Sequence, residues 1–228
     1  MEFRFISNFA VFKYNTMDTN VLENLELTTE EIVQGGIARG MSYLDYRLLM
    51  DGLAAEGKAT GTEVSEDMVN YTLLNQRRMK RLDKTLKIDE ASADRIKSYA
   101  GKKVTWLVLT ESWCGDAAQS LPMINKVAAL NDDISLKIIL RDENLGIMNR
   151  FLTNGAMSIP KLVMVDDASG NVVGEWGSRP KIAQQMVVDY KNQHGMLTPE
   201  FKEELQVWYN KDKGQSMLND LLELLALK

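Results

Sequence analysis

The sequence holds one cysteine, Cys114, and one histidine, His194, in 228 residues. A single cysteine rules out an intramolecular disulfide, and the pair rules out a Cys/His zinc cluster within one chain. A site must therefore use Cys114 alone, or carboxylates, or neither, and no cofactor is called for. Proline is scarce as well: all four lie between residues 122 and 199, so the first 121 residues contain none. That asymmetry predicts a helical front end followed by a sheet-containing body. No apolar run approaches the roughly 18 residues that span a bilayer. Neither sign of charge dominates, with 27 basic against 32 acidic residues and a net charge of −5. No global field pulls the chain toward nucleic acid or an anionic membrane, and neither is an expected partner. The opening stretch MEFRFISNFAVFKYNTMD is interrupted by Ser7, Asn8 and Lys13 and is followed by no small-residue cleavage site, so it is not read as a signal peptide. It is either a short ordered arm, residues 1–17, or upstream sequence ahead of a start at Met17. The cytoplasm is the default compartment.

What is present has a clear order. Thr28 with Glu31 three residues on forms a capping box, and the run EEIVQGGIARGMSYLDYRLLMDGLAAEG follows, ending in glycine. SEDMVNYTLLNQRRMKRLDKTLKI places Met68, Tyr71, Met79, Leu82 and Leu86 at helical spacings, broken only by Asn75. A further helix is expected from about Asp89 to Tyr99, closed by Gly101. From residue 103 the pattern changes. VTWLVLT reads as a buried strand, CGDAAQSLPMINKVAAL as a helix, ISLKIIL as a strand and NLGIMNRFLTNG as a helix. KLVMVD and NVVGEW form a hairpin about Asp-Ala-Ser-Gly, and RPKIAQQMVVDYKNQ is a helix with Pro180 in its first turn. The order β-α-β-α-β-β-α describes a mixed sheet with helices on both faces. Two helices close the chain, one with Thr198 as N-cap and Pro199 first, the other SMLNDLLELLALK, whose Leu218, Leu221, Leu222 and Leu225 share one face, most simply for packing on its own domain and second for a dimer seam.

The only cysteine sits in TESWCGDAAQSLP, at the start of the helix that follows the first strand. A thiol there faces unpaired backbone N–H groups and the positive end of the helix dipole, both favouring thiolate. Trp113-Cys114-Gly115 between strand and helix, Pro122 eight residues after the cysteine, and Ile159-Pro160 ahead of KLVMVD occur in the order found in thioredoxins. The segment from about 103 to 193 resembles a thioredoxin-fold domain. Within that family it resembles the bacterial subgroup whose motif reads W-C-G-D, which carries a helical N-terminal extension and a WG-x-RP segment, here Trp176-Gly177-Ser178-Arg179-Pro180.

The resemblance implies an α/β, thioredoxin-like fold with a mixed central sheet, a helical N-terminal extension and C-terminal helices. The expected boundaries are an arm over 1–17, a helical region over 18–100, the thioredoxin-like domain over 101–195 and terminal helices over 196–228. It also implies a cis peptide before Pro160 and a groove formed by Trp113, Gly115, Asp116, Ala117, Ile159 and Pro160 beside the sulfur of Cys114. Three residues depart from the family. Ala117 stands where the resolving cysteine would be, so a mixed disulfide at Cys114 has no internal way out. Val108 stands where the family places a buried acid, six residues before the nucleophile. Asp116 replaces the usual proline, and its charge opposes the thiolate that the helix terminus favours.

Other features read more plainly. His194 caps a helix end before Gly195; Arg141 and Asp142 make a surface ion pair; Lys161 either favours a nearby thiolate or is solvated; and QRRMKRLDKTLK is a solvated basic face. The functional expectation is monothiol thiol–disulfide exchange through Cys114, its partner a low-molecular-weight thiol or a protein disulfide and its resolving thiol external. The alternative is a non-catalytic module whose groove binds a peptide or protein partner, with the thiol incidental.

Overall fold

The computed structural model describes residues 27–226, so the expected arm over 1–17 and a start at Met17 lie outside the described residues. The described residues begin with four helices: α1 (Thr29–Arg39), α2 (Tyr43–Glu56), α3 (Glu66–Thr85) and α4 (Glu90–Lys97). The body follows as β1 (Val104–Thr110), α5 (Gly115–Ala128), β2 (Ile134–Leu140), α6 (Leu145–Met148), β3 (Lys161–Asp166), β4 (Val172–Gly177) and α7 (Lys181–His194), and α8 (Pro199–Asp212) and α9 (Gln215–Leu224) close it. The sheet order is β2-β1-β3-β4, with β1 parallel to β2 and antiparallel to β3, and β3 antiparallel to β4. The parallel pair requires a crossover, which α5 supplies. β1 and β3 are buried along their whole lengths, as central strands covered on both faces must be.

Thr28 caps α1 with Glu31 in the expected box. The long run after it is two helices, because the chain turns aside at Gly40 so that Met41 can pair with Ile138 of β2, N–H to carbonyl at 2.8 Å. A Cβ at Gly40 would stand 2.8 Å from that of Lys137, so only glycine passes there. Ser42 and Asp45 then form a second capping box. In α3 the buried face differs from the apolar one: Tyr71 is 45% exposed, while Thr72 and Asn75 are buried with Met79 and Leu82. The stretch 144–155 is helical only over α6; Asn154 and Gly155 take positive φ at a turn where Thr153 bridges Ala156, as asparagine and glycine favour.

The apolar face of α9 joins the main core through Leu218, Leu221, Leu222 and Leu225. α7 and α8 instead share a satellite cluster of Ala183, Val187, Phe201, Leu205 and Tyr209. The connection from β4 to α7 is held by Asp220 of α9, which accepts from the Trp176 indole at 2.9 Å and from the Lys181 backbone at 3.0 Å. Gly177 in that connection has φ +126°, and a Cβ on it would lie 2.3 Å from the Pro160 carbonyl oxygen. The approach brings Ser178 and Arg179 to the start of α5. No helix among the described residues is long and apolar enough to cross a membrane.

Candidate functional site

β1 ends at Thr110, and a short loop carries Glu111, Ser112, Trp113 and Cys114 to α5. Cys114 is the N-cap of α5. Its sulfur accepts from the Ala117 N–H at 3.4 Å and its thiol donates to the Ile159 carbonyl at 3.3 Å. The Ile159–Pro160 peptide is cis. The sulfur therefore lies between the helix terminus and the loop ahead of β3, the two places the motif brings together. The thiol is covered, with Cys114 only 7% exposed. Burial, and then the Asp116 carboxylate, push its pKa up to about 12, against the pull of the Ala117 N–H and of Arg179. The helix terminus does not win in this conformation.

Asp116 is more than a helix-start carboxylate. It pairs with Arg179 at 2.7 Å and accepts from the Tyr209 hydroxyl at 3.0 Å. Burial raises its carboxyl above the ordinary range while Arg179 and Tyr209 draw it down. The last residue of W-C-G-D thus meets the arginine of WG-x-RP, sixty-three positions along the chain. From α3, Arg78 reaches over Gly115: its guanidinium would be 3.7 Å from a Cβ there, and it donates to the Asn75 side chain at 2.8 Å. Gln206 of α8 lies on the same spot, 3.9 Å from that position, and accepts from the Gln119 amide at 2.9 Å.

A buried polar cluster holds the other side of the loop. Thr60, ahead of α3, receives the Ser112 N–H on its hydroxyl at 2.8 Å, while the Thr60 N–H donates to the Ser112 hydroxyl at 2.9 Å. Thr72 shares a hydrogen bond with Ser112 at 2.7 Å, and the Asn75 amide donates to the Ser112 carbonyl at 3.0 Å. Glu111 is fully buried, accepting from the Thr60 hydroxyl and, at 2.8 Å, from the Asp142 N–H. Burial raises its carboxyl pKa, opposed by those donors. Val108 is indeed buried at the centre of β1, but Glu111 supplies a buried acid at a position the motif does not mark.

The residues expected to line a groove are brought together and covered. Ala117, Ile159 and Pro160 are buried, Gly115 and Asp116 half-buried. Trp113, also half-buried, packs beneath the Arg141 guanidinium, 5.0 Å from the ring centroid. Arg141 and Asp142, paired at 2.8 Å, are mostly buried beside this ring rather than at the open surface. Lys161 is neither solvated nor turned to the thiol: it is 5% exposed and pairs with Glu175 at 2.7 Å. His194 ends α7 with its ring 4.2 Å from that of Tyr190. The basic run of α3 is exposed at Arg77 and Lys80, but its Arg78 is half-buried at the site and its Arg81 donates to Asn210 of α8 at 2.7 Å. An open cleft of about 650 Å³ lies elsewhere, lined by Tyr43, Arg47, Asp83, Ala128 and Ile134 among others, with none of the thiol-site residues.

The thioredoxin family model matches residues 61–193, more than half of the chain. The chain belongs to the thioredoxin family. The match begins at the loop carrying Thr60 and takes in α3, so it reaches beyond the sheet domain. No curated protein matches this thioredoxin relative. Among solved structures, a protein of unknown function from Pseudomonas aeruginosa shares 17% identity over 84% of this chain and 95% of its own, with a TM-score of 0.56. An HIV epitope-scaffold shares 17% identity over 85% and 96%, with a TM-score of 0.54. At such identity the likeness is one of fold.

Proposed function

We propose that this thioredoxin-family protein carries out monothiol thiol–disulfide exchange, and that it falls in the W-C-G-D subgroup without a resolving cysteine. The observation that carries the reading is the seat of Cys114, with the Ala117 N–H on one side of the sulfur and the Ile159 carbonyl on the other. A thiolate formed there is stabilised by the helix terminus. It attacks one sulfur of a small or protein disulfide; a Cys114–sulfur bond forms, the substrate S–S bond breaks and the second sulfur leaves as thiolate. With Ala117 buried where a second thiol would act, resolution falls to an external thiolate. That thiolate attacks the substrate sulfur of the mixed disulfide, forms a new disulfide and releases Cys114 with its electron pair. A reducing compartment such as the cytoplasm supplies the external thiol. The binding groove in this reading is Trp113, Gly115, Asp116, Ala117, Ile159 and Pro160.

The test is turnover of a small disulfide in the presence of excess glutathione. The reading predicts a rate above the uncatalysed exchange that Cys114→Ser abolishes; equal rates for the two proteins would sink it. The burial of the thiol favours a second reading, a binding module in which Cys114 only packs. Capture of the same cellular partners by wild type and Cys114→Ala, with no exchange by either, would decide for the module.

A further inference from the structure

The covered thiol raises the question of how a disulfide reaches it. α8 lies across the start of α5 beside Arg78 of α3 and Arg179, and it is held there mainly by side-chain hydrogen bonds. Gln206 accepts from Gln119, Tyr209 donates to Asp116 and Asn210 accepts from Arg81. Its apolar side faces α7, in the satellite cluster, and not the main core. Tyr190 of α7 stacks on Phe201 of α8 at 4.1 Å, so the two helices are tied to each other. Both ends of the segment 181–212 return to α9. The Lys181 N–H is bonded to Asp220, and Lys213 and Gly214 enter α9 through two successive left-handed residues, φ 54° and 79°. A Cβ at Gly214 would stand 2.8 Å from Met123 and 3.1 Å from Leu86, and Asp212 at the end of α8 accepts from the Ser216 N–H and hydroxyl of α9 across the Lys213 turn, so a rotation at Lys213 turns about that Asp212–Ser216 contact. A segment with its own small apolar cluster, polar contacts to the body and both ends at one place can open without disrupting the main core.

We infer that α8, moving with α7, is a hinged cover over Cys114, latched by the Tyr209–Asp116 and Gln206–Gln119 hydrogen bonds, and that its opening regulates access of a disulfide to the thiol. The inference rests on reading Cys114 as the acting group. Opening removes Tyr209 and Gln206 from the start of α5 and admits water to the sulfur. The desolvation that holds the thiol protonated is thereby relieved, so exposure and thiolate formation arrive together.

The experiment is alkylation of Cys114 by iodoacetamide in wild type, Gln206→Ala and Tyr209→Phe, together with amide hydrogen exchange. Losing one neutral hydrogen bond raises an open population about fivefold, and losing one to a carboxylate about tenfold or more. Alkylation is expected to accelerate by those factors in the two variants, with global urea midpoints moved far less. Gln206→Ala changes no charge, so its effect cannot be an electrostatic one on the thiol. Amides of residues 199–212 are expected to exchange well before those of β1 and β3. Unchanged alkylation in both variants, or α8 amides as protected as β1, overturns the cover. If α8 opens and the exposed thiol still forms no mixed disulfide, the cover stands and the monothiol reading falls. A mixed disulfide formed rapidly at Cys114 under a fully protected α8 does the reverse.

Discussion

At the scale of single residues, the state of the thiol is set by burial and by two opposed neighbouring charges. Asp116 holds the Cys114 pKa up, while Arg179 and the Ala117 N–H pull it down. Asp116→Asn removes the opposing charge and frees Arg179 to act on the sulfur, so the midpoint of alkylation against pH should fall below that of wild type. A midpoint that stays or rises would refute this assignment. Arg179→Ala should raise the midpoint and, by leaving a mostly buried carboxylate unpaired, cost about 3 kcal/mol of stability in urea. The same titration sets a pH dependence of folding. The thiol pKa is raised from 9.0 to about 12, so the folded protein keeps a proton there that the unfolded chain loses. The resulting stabilisation is fully present below about pH 9 and is lost as pH rises toward 12. Stability measured against Cys114→Ala should reveal it: the wild-type advantage shrinks across that window, and a constant difference would contradict a buried thiol.

At the scale of elements, the site is assembled by backbone approaches that only particular residues permit. Gly177 is the sharpest case, with positive φ and no room for a Cβ against the Pro160 carbonyl. Gly177→Ala should cost more than about 3 kcal/mol and displace Arg179 from Asp116; a urea midpoint within error of wild type would refute that packing. Asn75→Ala, which removes the amide holding the Ser112 carbonyl, should cost about 1–3 kcal/mol, read by the same denaturation. These elements were unequally legible in the sequence. β1, α5, β2 and the β3–β4 hairpin followed from short apolar runs bounded by turn residues, because a strand buried on both faces has little other way to appear. The break at Gly40 did not, since it depends on Met41 pairing with β2, a contact 97 positions away in the chain. In α3 the helix was legible and its buried face was not. Apolar spacing marks what packs against hydrocarbon, whereas Thr72 and Asn75 are buried to satisfy the backbone and hydroxyl of Ser112. NLGIMNRFLTNG carries apolar residues at helical spacing, yet its asparagines favour turns and the helix stops at Met148.

At the scale of the whole molecule, a thioredoxin-family body is flanked by helices from both ends of the chain, and both sets converge on the start of α5. Arg78 comes from α3, Arg179 from the β4–α7 connection, and Gln206 and Tyr209 from α8. The centre of the site was legible, because Trp113, Cys114, Pro122 and Pro160 lie in a spaced pattern along one chain segment. Its surroundings were not: Tyr209 and Gln206 sit on an ordinary amphipathic helix, and nothing in their own neighbourhood marks them. Glu111 offered a faint signal, as a charged residue directly after an apolar strand. The convergence explains why the thiol is covered even though it caps the start of α5. The measurement that bears most directly on the central claim is mass spectrometry of the native protein mixed with oxidised glutathione. A single glutathione adduct on Cys114, removed by an added thiol and formed several-fold faster in Gln206→Ala, is the predicted result. An adduct that appears only when the protein is unfolded would contradict the claim and leave Cys114 as packing.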